Sequence, residues 1–141
     1  MTFIRFLYIV PLSGLLLAAP HAHAWGPQGH RVIGHTATGL LTPGTRARLE
    51  EILAYTQSEN TAGSIDLACN WPDAVRTQEG WKWSAPLHYV NIPRYSQHYE
   101  RERDCPDGLC VTEGILRYAN ELTLPGLEPE QRWQAFAFLC H

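Results

Sequence analysis

Gly26-Pro27-Gln28-Gly29-His30-Arg31-Val32-Ile33-Gly34-His35-Thr36-Ala37-Thr38-Gly39-Leu40-Leu41 changes character after its fourth residue. Its opening is a turn, and Val32, Ile33, Ala37, Leu40 and Leu41 then recur at helical spacing, which predicts a helix over 30–41. The same reading extends outward. Thr42-Pro43-Gly44 breaks the helix, and Thr45 reads as the N-cap of a second one carrying Leu49, Ile52 and Leu53. Residues 60–64 read as loop. A third helix is expected over 65–75, with Pro72 suited only to a helix start or a kink. A fourth is expected over 111–122, with Ile115, Leu116 and Ala119 on one face. Leu124-Pro125-Gly126 ends it, and Pro129 suits the first turn of a last helix striped by Trp133, Phe136, Ala137 and Cys140. Residues 78–103, rich in Trp, Tyr, Pro and His, lack that period and read as irregular structure with at most a short strand, His88-Tyr89-Val90-Asn91. The expected fold class is mainly α.

The ends of the chain carry separate signals. Arg5, the apolar run from Phe6 to Ala19 and the small-x-small pattern Ala22-His23-Ala24 have the layout of a secretory signal peptide over 1–24. The apolar run is short for a membrane span, and Pro11, Ser13 and Gly14 interrupt it. The expected mature chain therefore begins at Trp25, outside the cytoplasm (secreted or periplasmic), with no stable membrane association and no obligate protein partner evident. The last helix reaches His141 in mid-stripe without a C-cap, so residues 25–141 read as the N-terminal part of a longer domain.

Across the 141 residues the formal net charge is -3, which excludes a surface that would hold polyanions by bulk charge. Any handling of nucleic acid must rest on a local site, with bound cations supplying positive charge. Of four cysteines, Cys105 and Cys110 enclose a turn-like Pro-Asp-Gly-Leu. Export favours a disulfide there, and half of a zinc site is the alternative.

The candidate metal donors are Trp25, through a free α-amino group and its carbonyl, His30, Asp73, His88 and His141. Imidazole and carboxylate are the donors zinc accepts when thiolates are absent. Each has an ordinary role as well: His30 as a helix-start residue, Asp73 as a complement to the helix dipole, His88 as a hydrogen-bonded loop residue. Spacing alone leaves both readings open.

Trp25-Gly26-x-x-Gly29-His30, Asn70-Trp71-Pro72-Asp73-Ala74-Val75-Arg76, Leu87-His88-Tyr89-Val90-Asn91, Asp104-Cys105-Pro106-Asp107-Gly108-Leu109-Cys110-Val111 and Phe138-Leu139-Cys140-His141 stand in that order. Together they resemble the S1/P1 nuclease family across the whole mature chain. The resemblance implies a mainly α, phospholipase C-like helical fold, truncated here, with three zinc ions in the complete site. Trp25 and His30 would help hold one ion, and Asp73, His88 and His141 a second. The remaining ligands would lie beyond His141, so this chain is expected to be an incomplete and inactive fragment. The implied activity is hydrolysis of phosphodiester bonds in single-stranded DNA or RNA, with 3′-nucleotides as further substrates. Asp73 would orient the attacking water, Arg76 would contact phosphate, Tyr89 would stack on a base and Asn91 would bind its edge. A zinc-dependent phospholipase C and a non-catalytic remnant are the alternatives. Asn70 and Pro72 depart from the family pattern, as do Cys69 and Cys140. The expected meeting of Asp73 and His141 at one zinc would bring Cys69 and Cys140 together as a second disulfide. His35 has no matching role.

Overall fold

The computed structural model describes residues 26–55 and 63–141; the expected signal peptide and Trp25 lie outside them. Among the described residues six α-helices follow in order: α1 Pro27–Leu40, α2 Pro43–Ala54, α3 Ile65–Val75, α4 Arg101–Asp104, α5 Val111–Glu121 and α6 Pro129–Cys140. Short 3-10 segments occupy Lys82–His88 and Pro106–Gly108. No strand occurs among the described residues, in keeping with a mainly α fold. No helix there is long and apolar enough to cross a membrane.

Local chemistry explains the helix starts. Pro27, Pro43 and Pro129 each stand in a first turn, where a missing N–H costs nothing. The cap of α2 is Thr42 rather than Thr45: its hydroxyl accepts the Thr45 N–H at 3.2 Å, because Pro43 already has the φ of a first helical residue. Ser64 caps α3 in the same way, through the Leu67 N–H. Pro72 stands inside the last turn of α3 rather than at its start. Only one intrahelical bond is forfeited there, and the ring is fully buried.

The core sits between α2, α3 and α6. Leu49, Leu53, Ala68, Trp71, Val75, Trp133 and Ala137 form one cluster, and Trp133 is completely buried. Trp71 meets Trp81, Trp133 and Phe138 edge-on, at ring separations of 4.6, 5.0 and 5.7 Å. A second cluster joins Leu87, Tyr118 and Ala135. Tyr118 stacks on Phe138 at 4.8 Å, and burial pushes its phenol up to about 12.

Two expected faces do not make these contacts. On α1, Val32 and Ile33 are exposed and Gly34 is buried; on α5, Ile115 and Leu116 are exposed while Gly114 and Tyr118 are buried. In both helices the backbone approaches its neighbour at a glycine, which helical hydrophobic periodicity does not register.

Residues 88–91 are irregular, and the short strand that the sequence allowed there does not form. His88 closes a 3-10 segment, the Tyr89 N–H donates to Pro86 C=O at 3.4 Å, and Tyr89 C=O accepts the Val111 N–H at 3.0 Å. Cys105 and Cys110 are a disulfide with Cα atoms 5.3 Å apart. Their loop turns through Asp107 and Gly108 at φ 58° and 70°. Beside it, buried Asp104 accepts from Arg103 Nε at 2.7 Å and from the Glu100 N–H at 2.8 Å; the Arg103 bond leads in holding its carboxyl below the usual range. Cys69 and Cys140 are a second disulfide, with Cα atoms 5.0 Å apart across 71 residues of sequence.

Candidate metal centre

Asp73, in the last turn of α3, is the hub of the site. His30 Nε2 on α1 lies 3.8 Å from its Oδ2; His88 Nε2 and His141 Nε2 lie 3.7 and 3.8 Å from its Oδ1. These separations exceed a hydrogen bond. Arg76, one turn on, sets its Nε 3.3 Å from the same Oδ1. His30, Asp73 and His141 offer donor atoms all within 4.8 Å of one another. The rings of His30 and His141 stack at 4.0 Å, and His88 meets His141 edge-on at 4.8 Å.

The backbone fixes two of these imidazoles. His88 Nδ1 lies 3.1 Å from the Ser84 carbonyl and 3.2 Å from that of Ala85, one turn back in its 3-10 segment. His141 Nδ1 lies 3.0 Å from the Cys69 carbonyl on α3. A carbonyl only accepts, so each Nδ1 carries the proton and donates it, leaving a lone pair on Nε2. Both lone pairs face Asp73. This is the arrangement in which outer partners orient metal-ligating histidines. Burial pushes His141 down to about 4, and the Cys69 carbonyl and Asp73 oppose that only in part. The ring is therefore neutral at physiological pH.

His88 Nε2 is buried and has no hydrogen-bond partner. Such an orphan costs about 1–3 kcal/mol unless something else satisfies it. A divalent ion would do so. Tetrahedral zinc, with bonds of about 2.0–2.1 Å, sets its donors about 3.3 Å apart, only slightly closer than the spacings around Asp73. Imidazole and carboxylate are donors that ion takes; His30, Asp73 and His141 form one close set, and His88 approaches it through Asp73.

The cluster opens into a cleft of about 840 Å³. Gly26, Pro27 and Ile33 line one side, Arg76 and His88 another, and Gly114, Ile115, Tyr118 and Leu139 an apolar floor. The structure thus brings together His30, Asp73, Arg76, His88 and His141. Tyr89 and Asn91 do not line the cleft; both are exposed beside it, Tyr89 by half. Trp25 adjoins Gly26 in sequence but lies outside the described residues. His35 pairs instead with Asp66 at 2.7 Å on the exposed side of α1. Sequence reasoning passed over the Cys69, Ser84 and Ala85 carbonyls, the glycine floor and the role of Gly34. Main-chain acceptors have no residue signature. Only the interruption of an apolar period by glycine hinted at the rest.

This geometry defines a class, a helical protein with a histidine–carboxylate cluster that could hold a metal ion. The S1/P1 nuclease family model matches residues 25–141. The chain is 36% identical to Endonuclease 5 of Arabidopsis thaliana over 121 residues, covering 82% of this chain and 40% of that protein. It is 31% identical to Endonuclease 3 of the same plant over 116 residues, covering 82% and 38%. It is 28% identical to Nuclease P1 of Penicillium citrinum over 120 residues, covering 83% and 43%. The chain belongs to the S1/P1 nuclease family. It spans about two fifths of the length of these relatives.

Proposed function

We propose that this chain is part of an exported, zinc-dependent nuclease that hydrolyses phosphodiester bonds of single-stranded DNA or RNA, with 3′-nucleotides as further substrates. The observation that carries the reading is the buried, unpartnered Nε2 of His88, aimed with His141 Nε2 at Asp73. His30, Asp73, His88 and His141 are the side chains that would hold zinc, joined by the amino group and carbonyl of Trp25 if export removes residues 1–24.

The chemistry such ions supply is Lewis acidity toward water and toward a phosphoryl oxygen. The chain's own residues do the rest. Asp73, open to the cleft on one side, orients the attacking water. Arg76 is 43% exposed at its side chain and ties only its Nε to Asp73, so its other N–H groups can meet a phosphate oxygen. Tyr89 offers an exposed ring beside the cleft, a surface on which an unpaired base can stack and a paired base cannot. Asn91 stands two residues on, within the reach of a base edge. With a net charge of -3, recognition rests on these local groups rather than on a basic surface.

The test is zinc analysis of the exported protein after dialysis, followed by assays on single-stranded DNA, duplex DNA and phosphatidylcholine. Retained zinc with preferential cleavage of single strands is the expected result. Turnover of the phospholipid instead would move the protein to phospholipase C chemistry. A wild-type protein that takes up no zinc would sink the metal reading. N-terminal sequencing decides whether Trp25 is the first residue.

A further inference from the structure

The Cys69–Cys140 disulfide lies beside the metal cluster, where α1, α3 and α6, the helices that carry or adjoin His30, Asp73 and His141, come together. On α3, Cys69 precedes Asp73 by one helical turn. Cys140, the last residue of α6, immediately precedes His141. On α1, one turn beyond His30, Gly34 comes so close that a Cβ there would stand 2.8 Å from Cys69 Sγ and 3.6 Å from Cys140 Sγ. The Cys69 carbonyl itself holds the His141 ring. By contrast, Cys105–Cys110 closes a local turn of five residues' separation and joins no helix that bears a donor.

Reduction would disturb this junction for a steric reason. Bonded sulfurs stand about 2.05 Å apart. Two unbonded thiols need roughly 3.5–4 Å, the ordinary contact distance of heavy atoms. Cys69 is fully buried and Gly34 backs directly onto it, so the sulfurs have no slack on the α1 side. Rotation of the half-buried Cys140 thiol toward the cleft supplies part of the extra distance, and separation of α3 from α6 the rest. That motion draws Cys69 C=O away from His141 Nδ1, and Asp73 away from His141 Nε2. Metal–donor bonds keep within about 0.2 Å of their standard lengths, so a donor drawn away from the others is lost to the ion.

We propose that the Cys69–Cys140 disulfide positions the metal donors, so that tight binding of a divalent cation requires these two cysteines to be oxidised. The inference rests on the metal-site reading above. Its consequence is a safeguard: before export, in a reducing compartment, the site is held open and the metal is bound weakly. In forming the bond, the two thiols pass two electrons and two protons to an external disulfide, which becomes two thiols. An external dithiol reverses the step. The metal ion keeps its oxidation state throughout.

The experiment uses the full chain and zinc itself as probe, titrated against a chromophoric chelator, with helicity followed by circular dichroism. The paired variant C69A/C140A removes the crosslink without leaving thiols that would capture zinc, and C105A/C110A is the control. The expected result is zinc affinity lowered more than tenfold in C69A/C140A at retained helicity, with C105A/C110A near wild type. Equal affinity in all three proteins would overturn the proposal, as would an equal loss in both variants. If C69A/C140A does not fold, reciprocal linkage supplies a second measurement on the wild type. In glutathione buffers, manganese, a divalent ion suited to carboxylate and weakly held by thiols, should shift the Cys69–Cys140 pair toward the disulfide by more than tenfold and leave Cys105–Cys110 unmoved, read by mass spectrometry of alkylated cysteines. No shift at Cys69–Cys140 would overturn it. A wild type that binds no zinc would fail at the earlier step, and the two failures are thus told apart.

Discussion

His141 Nδ1 lies 3.0 Å from the carbonyl oxygen of Cys69, a residue on a different helix and half the chain away. That one bond fixes the tautomer of His141 and aims its Nε2 at Asp73, which stands one turn beyond Cys69 on α3. The acceptor that orients the ring and the carboxylate that faces it thus belong to one rigid element.

Asp73 should matter to metal and not to folding. It is partly exposed, and its three histidine neighbours stand beyond hydrogen-bond range. Asp73→Asn is expected to lower zinc affinity by about 100-fold or more, at the upper end of what loss of a partner in the metal shell costs. The urea midpoint of the chelator-treated protein should move little. A variant with normal affinity would remove Asp73 from the ligand set.

Acid should weaken the metal-free protein through His141. Above pH 6.5 its ring is neutral in both folded and unfolded chains and contributes nothing to the pH dependence. As pH falls from 6.5, the unfolded chain takes up a proton that the folded ring refuses until about 4. The His141 contribution should therefore decline across that window and level off below it, by about 2 kcal/mol once partial solvent access is allowed for. Urea melts in chelator at pH 7, 5.5 and 4 measure this directly. His141→Gln should flatten the profile, and an unchanged slope would exclude His141 as its source.

Gly34 should resist substitution. A Cβ there meets Cys69 Sγ at 2.8 Å and Ile65 Cγ1 at 3.1 Å. Gly34→Ala is expected to destabilise by about 1–3 kcal/mol, the usual cost of overpacking, despite alanine's better helix propensity. In the C69A/C140A background the penalty should shrink, because the clashing sulfur is gone. Equal penalties in both backgrounds would place the conflict elsewhere.

Trp133 separates packing from polarity. It is completely buried, and its Nε1 has no hydrogen-bond partner. Trp133→Ala should cost about 3–5 kcal/mol. Trp133→Phe should cost far less, near 1.5 kcal/mol, because it keeps most of the ring and discards the unpaired N–H. Thermal melts of the two variants rank them, and equal losses would contradict this account.

Tyr89→Ala tests the substrate reading. Loss of one stacked base is worth about 1–3 kcal/mol, so KM for a single-stranded substrate should rise by roughly 5- to 150-fold while zinc content stays normal. An unaltered KM would move the base-binding surface away from Tyr89, which does not line the cleft.

Sequence by itself determined the helices and the donor types. Pro, Ser and Thr mark helix starts through local hydrogen bonds and fixed φ, and α3 and α6 bury Trp71 and Trp133 as their apolar spacing requires. Local chemistry of this kind is written in neighbouring residues. It misjudged the capping residue of α2 and the buried sides of α1 and α5. Pairing and packing depend on partners that sequence spacing does not specify. His30, Asp73, His88 and His141 were legible as candidates, but each was as easily a cap or a loop residue. Only the tertiary structure gathered them within a few ångströms, left His88 Nε2 unpartnered and set Cys69 against Cys140 beside them. The physical reason is that a metal centre consists of distances and lone-pair directions between elements remote in the chain. Those are fixed by helix packing at Gly34 and by main-chain carbonyls, and neither carries a side chain for the sequence to display.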